Sequence, residues 1–463
     1  MNTIRKIQNS FEHSLRLRAV KLLNLLLITA VFAFIWYRFY ASNLYHKAFF
    51  RKGDWVIIIL YAISYYSYGR TYDAFQITLK RMTEVVYSQI IAILFTNAIS
   101  ALLTWILMRR WYNFLPYILC ISIQVFISII WTVLTHRWYF AKYPPVKSVM
   151  LQGEDVKYRD LIGEQGLKRN FNIIRTITLS EYKLEGINAF KDAEAVFLVG
   201  ISSGDRNFIL KDCIEKGIRV FIKPGLTDII MSGAEETHMM DFPILRIDRY
   251  SPLPEYSIIK RVFDIVFSLV MLAVTSPLLL AVSIAIKMTD RGPVFYKQTR
   301  LTKDGKEFRL IKFRSMRVDA EADGVARLST GDRDSRITHV GRFIRKCRID
   351  ELPQFINILK GDMSVVGPRP ERPEIAAKYE KELPEFRLRL QAKAGLTGYA
   401  QIYGKYNTTP YDKLSMDLTY IAHPSLMQDL KLIFATFKIL FKPESTAGVS
   451  EGQVTAADGD KNI

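Results

Sequence analysis

Residues 262–286 read VFDIVFSLVMLAVTSPLLLAVSIAI. By length and composition this is a helix for the membrane, because about 20 apolar residues span the hydrocarbon core. Yet Ser276 and Pro277 stand in its middle. A proline removes one helical hydrogen bond, and its ring crowds the preceding turn. In hydrocarbon the freed carbonyl needs another donor, which a serine hydroxyl can supply. Two architectures follow. One is an ordinary span with a proline kink. The other is a re-entrant helix over 259–287 that enters one leaflet, breaks at Ser276 and Pro277 and leaves on the same side. Lys260 and Arg261 precede the segment, and Lys287 and Arg291 follow it. The flanks favour re-entrance: if the soluble-looking regions on both sides share a compartment, the segment cannot cross.

Toward the N-terminus, residues 1–140 hold four more apolar segments, near 19–37, 55–68, 85–108 and 115–134. The third and fourth are long enough to span, and the first is with help from its flanks. The second, WVIIILYAISYYSY, is short and rich in tyrosine at one end. Trp and Tyr at segment ends suit the interfacial belt. The first segment reads as retained: no small-residue cleavage site follows it, and Trp36, Tyr37 and Arg38 do. Four spans return the chain to its starting side. Arg5, Lys6, Arg16 and Arg18 in the tail, with Arg70, Lys80 and Arg81 in the second loop, favour a cytoplasmic start. Lys47, Arg51, Lys52, Arg109 and Arg110 on the predicted outer side make that asymmetry modest.

Between the membrane segments, residues 147–247 carry five short apolar runs: SVMLQ, FNIIRTI, AVFLV, IRVFI and PILRI. Their alternation with polar helical stretches predicts a small, parallel, Rossmann-like α/β domain. A dinucleotide site would want G-x-G-x-x-G after the first strand. The chain has LQGEDVKYRDLIGE there, so a structural or regulatory module is expected. Residues 248–258 form a Pro-containing linker, 259–442 one basic membrane-associated unit, and 443–463 a small, polar tail with the composition of disorder.

The bulk numbers agree with several units: 463 residues, at about 100–200 per domain. The formal charge of +19 points to nucleic acid, anionic lipid or phosphorylated small molecules. The membrane segments, with no recognisable reading module, exclude nucleic acid. Cys120, Cys213 and Cys347 lie far apart, without the spacing of a zinc site or a disulfide framework.

The chemistry lies C-terminal to the interrupted segment. GPVFYKQTRLTKDGKEFRLIKFRSMRVDAEADG (292–324) contains Asp304-Gly305, a two-residue turn signal between alternating strands. Lys312, Arg314 and Arg317 follow, then Asp319, Glu321 and Asp323; a solvated surface accounts for several of these charges. From Arg336 to Arg348 there are five Lys/Arg and no Asp or Glu. Arg342, Arg345 and Lys346 share helical spacing, which fits a face on anionic lipid or a phosphate clamp, the two being compatible.

Next comes IDELPQFINILKGDMSVVGPRP (349–370). Leu352, Phe355, Ile356 and Leu359 make an i, i+3, i+4, i+7 stripe, and Pro353 suits a first helical turn. That places Asp350 at or beside the N-cap. The plain reading is a cap, with Glu351 complementing the helix dipole. The functional reading is an ionised Asp350 that attacks a phosphoryl group and forms an acyl-phosphate, beside a Glu351 that holds Mg²⁺. Gly361 and Gly367 allow tight turns, and Pro368 and Pro370 stiffen a loop that displays Arg369.

These residues resemble the bacterial sugar transferase family, the monotopic-type polyprenyl-phosphate hexose-1-phosphate transferases in their long form. The matching text is IIKRVFDIVFSLVMLAVTSPLLL, GPVFYKQTRLTKDGKEFRLIKFRSM, RITHVGRFIRKCRIDELPQFINILKGDMSVVGPRPE and AGLTGYAQIYGK. The resemblance implies a membrane protein of mixed class. It would have an N-terminal four-helix transmembrane bundle (1–140), the small Rossmann-like α/β domain (147–247) and a C-terminal α+β catalytic domain (259–442) with a re-entrant membrane helix. It would sit in the bacterial inner membrane with the catalytic domain on the cytoplasmic face. It implies transfer of sugar-1-phosphate from a UDP-sugar, glucose or galactose first, to undecaprenyl phosphate with release of UMP. This would be the first membrane step of a capsule, exopolysaccharide or O-antigen.

The same resemblance makes Asp350 the nucleophile and Glu351 its Mg²⁺-holding partner, with Asp350 a second metal ligand. Lys312 and Arg345 match phosphate-contacting residues. Arg314, Arg348 and the Pro368-Arg369-Pro370 turn complete the substrate-binding set, and Ser276-Pro277 matches the re-entrant break. The chain departs from the family's pattern at Thr302, where many members carry glycine. The final apolar helix, with Lys431 and Lys438, is expected on the membrane surface. A homodimer is one assembly the chain could form, and nothing in the sequence decides it. Two other functions compete: a degenerate membrane scaffold or regulator, and a glycosyltransferase that moves sugar without phosphate. UMP as product separates phosphosugar transfer from the latter, which leaves UDP.

Overall fold

The computed structural model describes residues 2–44, 52–78, 80–153, 169–250, 252–318, 320, 336–404 and 408–439. Lys47, Arg51, Asp319, Glu321, Asp323 and the 443–463 tail lie outside the described residues. The chain divides into two compact units, Met1–Lys223 and Pro224–Ile463. The boundary falls inside the stretch expected as one α/β domain.

The first unit opens with α1 (Asn2–Ile35), α2 (Gly53–Thr71), α3 (Met82–Met108) and α4 (Leu115–Lys142). Each packs against two of the others, closing a four-helix bundle. In lipid the hydrophobic effect does not drive helices together, so packing and interhelical hydrogen bonds must. Phe32 stacks on Tyr61 at 3.9 Å between ring centres. Gln124 Nε2 donates to Tyr61 Oη at 2.9 Å and to the Ile28 carbonyl at 3.0 Å. Asn97 Nδ2 donates to Gln124 Oε1 at 2.8 Å, and Trp36 Nε1 to Asp54 Oδ1 at 2.7 Å.

Among the described residues four helices are long and apolar enough to cross a membrane: Glu12–Asn43, Met82–Met108, Leu115–Lys142 and Pro254–Thr289. Together they mark a membrane protein. The second N-terminal segment forms a helix, α2, but it is not one of these four. Asp54, Arg70 and the hydroxyls of Tyr61, Tyr65, Tyr66 and Tyr68 lower its hydropathy.

The unit continues into a four-stranded parallel sheet of order β2-β1-β3-β4. Its strands are β1 (Val146–Gln152), β2 (Phe171–Thr178), β3 (Ala195–Val199) and β4 (Arg219–Ile222). Two helices accompany them, α5 (Leu179–Glu185) and α6 (Ser203–Glu215). Alternate residues serve opposite faces, as a pleated strand requires. Val149, Leu151, Val196 and Leu198 pack with Tyr182, Phe190, Ile209 and Cys213, while Met150, Phe171 and Phe197 pack on the other side. The fifth run, PILRI, does not join this sheet. It lies in β6 (Phe242–Arg246), which pairs antiparallel with β5 (Glu235–Met239) in a separate hairpin of the second unit.

The second unit adds α7 (Leu226–Ser232) and the long α8 (Pro254–Asp290), which continues through Pro277 as one helix. Pro277 cannot donate to the Ala273 carbonyl, and Ser276 Oγ does so instead at 2.7 Å. On the N-terminal side Phe263, Phe267, Met271 and Leu272 pack on the main core. On the C-terminal side Val282 and Ile286 pack with Phe313 and Ile344. Between them Ala273, Val274, Ser276, Pro277 and Leu278 are exposed. Asp264 Oδ1 accepts from Val365 N at 3.0 Å, and Lys260 Nζ pairs with Asp429 at 2.9 Å, so the start of α8 is bolted to this unit.

A hairpin of β7 (Phe295–Leu301) and β8 (Glu307–Phe313) follows. Asp304 and Gly305 are its turn, with φ of 60° and 73°. The loop is longer than the two residues expected: Thr302 N donates to the Lys306 carbonyl at 2.9 Å, outside the last strand pair. Thr302 is claimed by the core, which lengthens the loop. Its Oγ1 donates to the Asp362 carbonyl at 2.8 Å and accepts from Ala394 N at 3.2 Å. The unit is completed by α9 (His339–Lys346), α10 (Gln354–Lys360), β9 (Ser364–Val366), α11 (Pro373–Glu382), β10 (Gly395–Thr397), α12 (Tyr399–Tyr403), α13 (Pro410–Ala422) and α14 (Leu426–Ile439). β9 and β10 pair in parallel. The last helix, α14, buries Leu432 and Ile433 in the core, so that face is committed to protein. The side chain of Lys438 lies outside the described residues, and Lys431 is exposed.

Candidate active site

Asp350 and Glu351 do not cap a helix. They occupy a 3-10 turn, Ile349–Glu351, that starts at Arg348 with φ 54°. α10 begins later, at Gln354, with no side-chain cap. Its entering amides go to main-chain oxygens, Phe355 N to Leu352 and Ile356 N to Pro353. Both carboxylates are therefore free of capping. The stripe also shifts: Phe355 and Ile358 are buried with Leu352 against them, while Ile356 and Leu359 are half-buried. The short turn before α10 rotates the face that the i, i+3, i+4, i+7 spacing assumed. Asn357 anchors the helix under β8, with Oδ1 accepting from Ile311 N at 2.9 Å and Nδ2 donating to the Arg309 carbonyl at 2.8 Å. That brings the neighbouring Lys312 to the dyad.

Three cations from three segments reach Glu351. Lys312 Nζ on β8 lies 3.5 Å from Oε1, Arg348 Nη1 3.9 Å from Oε2, and Arg369 Nη2 3.8 Å from Oε1. Burial alone would raise the Glu351 carboxyl, but Lys312, Arg369 and Arg348 outweigh it and hold it down at about 2. Asp350 goes the other way. Burial and the adjacent Glu351 push it up to about 6, while Lys312, Arg345 and Arg348 pull it back. Lys312 itself is lowered by burial against the pull of both carboxylates. Two adjacent carboxyls with separated affinities for a proton are what unlike chemical roles require.

The predicted basic residues divide. Lys312, Arg345, Arg348 and Arg369 converge on the dyad. Arg314 does not join them: it is buried, with Nη1 1.9 Å from where a Cβ on Gly292 would fall. On α9, Arg342, Phe343 and Lys346 face outward while Ile344 is buried, so the basic run serves two directions.

Arg369 is presented by a held turn. Pro368 and Pro370 are buried and Arg369 is exposed between them. Pro368 O accepts from Gly395 N at 2.8 Å, Arg369 O from Arg389 Nη2 at 2.7 Å and Pro370 O from Arg300 Nη1 at 3.1 Å. Gly367 is required by close approach, since a Cβ there would lie 2.2 Å from the Lys393 carbonyl.

Behind the turn lies a group of charges that the sequence did not single out. Glu371 is 3.7 Å from Arg300 and 4.0 Å from Arg389, and Arg389 is 2.7 Å from Asp417. Burial would raise Glu371, but Lys413, Arg389, Arg300 and Arg369 hold it below its usual range. These residues lie far apart in the chain, so no local spacing reveals them. The one local signal was Glu371, directly after Pro368-Arg369-Pro370.

Two adjacent carboxylates, one held ionised, fit a hard divalent cation. Mg²⁺ usually takes one or two carboxylates and completes its shell with phosphate oxygens and water. Among the described residues no group of three or more His, Cys, Asp and Glu forms a closed cage. Glu351 and Asp350 are the residues that would hold such an ion.

Residues 255–443 match the family model described as bacterial sugar transferase. A UDP-N-acetylgalactosamine-undecaprenyl-phosphate N-acetylgalactosaminephosphotransferase of Aeromonas hydrophila is 40% identical over 192 residues, 41% of this chain and 45% of that protein. A UDP-glucose:undecaprenyl-phosphate glucose-1-phosphate transferase of Caulobacter vibrioides is 38% identical over 201 residues, 42% of this chain and 74% of its own length. A putative undecaprenyl-phosphate N-acetylgalactosaminyl 1-phosphate transferase of Bacillus subtilis is 50% identical over 135 residues, 29% of this chain and 74% of its own length. The chain thus spans under half of the Aeromonas relative and about three quarters of the other two.

Proposed function

The chain belongs to the bacterial sugar transferase family, and from that premise we propose that it transfers a sugar-1-phosphate from a UDP-sugar to undecaprenyl phosphate and releases UMP. The observation that carries this reading is the Asp350-Glu351 pair ringed by Lys312, Arg345, Arg348 and Arg369. A pyrophosphate brings negative charge to a site that, among the described residues, sets four cations against two carboxylates. The cations offset that charge and favour the ionised form of Asp350.

An Asp350 oxygen attacks the phosphorus that bears the sugar. The bond from that phosphorus to the bridging oxygen breaks, and UMP leaves with the oxygen and its electron pair. An oxygen of undecaprenyl phosphate then attacks the same phosphorus and frees the Asp350 carboxylate. Bound Mg²⁺ would neutralise charge on the phosphoryl oxygens. Arg369, exposed on its turn, contacts a phosphate, and Lys312 and Arg348 keep Glu351 ionised. The sugar is a hexose, glucose or galactose first, although relatives named for glucose and for N-acetylgalactosamine both match.

The reading places α8 as a re-entrant helix in the inner membrane with the catalytic unit on the cytoplasmic face. Support comes from its two packed halves, both against one folded unit, and from the exposed stretch around Ser276 and Pro277. The lipid substrate then presents its phosphate at the interface while the nucleotide sugar arrives from water.

The test is nucleotide release by nanodisc-held protein with Mg²⁺, undecaprenyl phosphate and a panel of UDP-sugars, with Asp350→Asn in parallel. UMP from the wild type, absent in the variant, supports the mechanism and names the donor. UDP as the product sinks it in favour of direct glycosyl transfer.

A further inference from the structure

Arg369 reaches the dyad from a turn whose carbonyl oxygens are gripped by two arginine side chains and an amide. Its position is set from behind, through the main chain. Arg389 is 3% exposed and donates Nη2 to the Arg369 carbonyl at 2.7 Å. The same nitrogen is paired with Asp417 Oδ2 at 2.7 Å, and Asp417 is 1% exposed on α13. The guanidinium carbon of Arg389 sits 4.8 Å from the centre of the Phe386 ring. On the next residue, Arg300 Nη1 donates to the Pro370 carbonyl at 3.1 Å and stands 3.7 Å from Glu371.

A buried ion pair is an expensive way to stabilise a fold, because both charges lose their water. Here it lies directly behind a residue whose guanidinium sits 3.8 Å from Glu351. A point charge that stabilises a phosphoryl group must be held within a fraction of an ångström, and a displacement of about 1 Å can cost a hundredfold in rate. We infer that Asp417 and Arg389 are positioning residues: Asp417 orients Arg389, Arg389 fixes the Arg369 carbonyl, and the Arg369 side chain is thereby aimed at the phosphates over the dyad. Arg300 is the parallel clamp on Pro370.

The inference rests on the function proposed above for the effect on rate, but not for the positioning itself, and two measurements separate them. The first is amide hydrogen exchange of the full-length protein in nanodiscs, comparing wild type with Asp417→Asn. Exchange is expected to accelerate in the 364–372 segment and to stay unchanged in β8. No change in that segment, or an equal rise throughout the unit with a lowered melting temperature, overturns the inference.

The second is a double-mutant cycle on UMP release. Asp417→Asn is expected to lower kcat by about tenfold with little change in KM for the UDP-sugar, and by less than about twofold when Arg369 is already alanine. Equal losses in both backgrounds overturn the path through Arg369. If Asp417→Asn fails to fold, Arg300→Gln is measured in the same way and is expected to give the same local signature. If the wild type releases no UMP from any donor, the proposed function fails and the exchange data alone decide the positioning.

Discussion

Ser276 Oγ donates to the Ala273 carbonyl at 2.7 Å, and that oxygen is the one Pro277 leaves without its helical donor. The serine therefore repairs the bond that its neighbour removes. Thr275 Oγ1 also donates to Met271 O at 2.6 Å, although no proline removes a donor there. The missing donor and its substitute belong to adjacent residues.

Replacing Ser276 with alanine leaves the Ala273 oxygen without this donor. The expected cost is about 1 kcal/mol, seen as a lower thermal midpoint in nanodiscs, with Ser276→Thr recovering most of it. An unchanged midpoint in Ser276→Ala would show that another group satisfies the carbonyl.

Lys312 is the cation with the greatest effect on Glu351 and on Asp350. Lys312→Met should lower kcat for UMP release by about a hundredfold while the protein still folds and inserts. A variant that keeps more than about a third of wild-type kcat removes Lys312 from the site.

Chelation of divalent cations should abolish UMP release, and added Mg²⁺ should restore it. Glu351→Gln should raise the Mg²⁺ concentration needed for half-maximal rate. Full activity after exhaustive chelation would refute a metal held by the dyad.

The Thr302 hydroxyl bridges the Asp362 carbonyl and Ala394 N. Thr302→Gly should destabilise the second unit by roughly 1–3 kcal/mol through the two lost bonds. Calorimetry in detergent measures it; a neutral result would mean that the loop re-forms around water.

Asp417 carries a pH dependence of stability. Burial raises its carboxyl to about 6; Arg389 and Lys413 pull it down, and Glu371 pushes it up. Its ordinary value is 3.8. Between those values the folded chain keeps a proton that the unfolded chain has lost, so stability falls as pH rises through that window. The change is on the order of 3 kcal/mol and levels off above the folded value. Asp417→Asn should remove that slope. A stability that rises across the same window would reverse the sign.

Much of this was legible in the sequence, where the code is local. Apolar length marked α1, α3, α4 and α8, and Ser276 beside Pro277 named both the missing bond and its donor. The runs SVMLQ, FNIIRTI, AVFLV and IRVFI became the parallel sheet, and Pro368-Arg369-Pro370 became a stiff turn with its arginine outward. What failed was also local in origin. PILRI looked like a fifth parallel strand because apolar content does not say which neighbour a strand will find. Asp350 looked like a cap because a 3-10 turn and a helix start share the same first residues. Arg314 looked like its neighbour Lys312, but a missing Cβ at Gly292 gave its guanidinium a berth in the interior. The Arg300, Glu371, Arg389 and Asp417 group was invisible, because only the tertiary fold assembles it.

The hold on the Pro368–Pro370 turn is made through peptide oxygens, which every residue type possesses. The clamp is therefore blind to what it carries. A different side chain at position 369 would be delivered to the same spot by the same grip, so the recognition element can be exchanged without rebuilding its mount. The turn works as a socket, and Arg369 is the piece fitted in it.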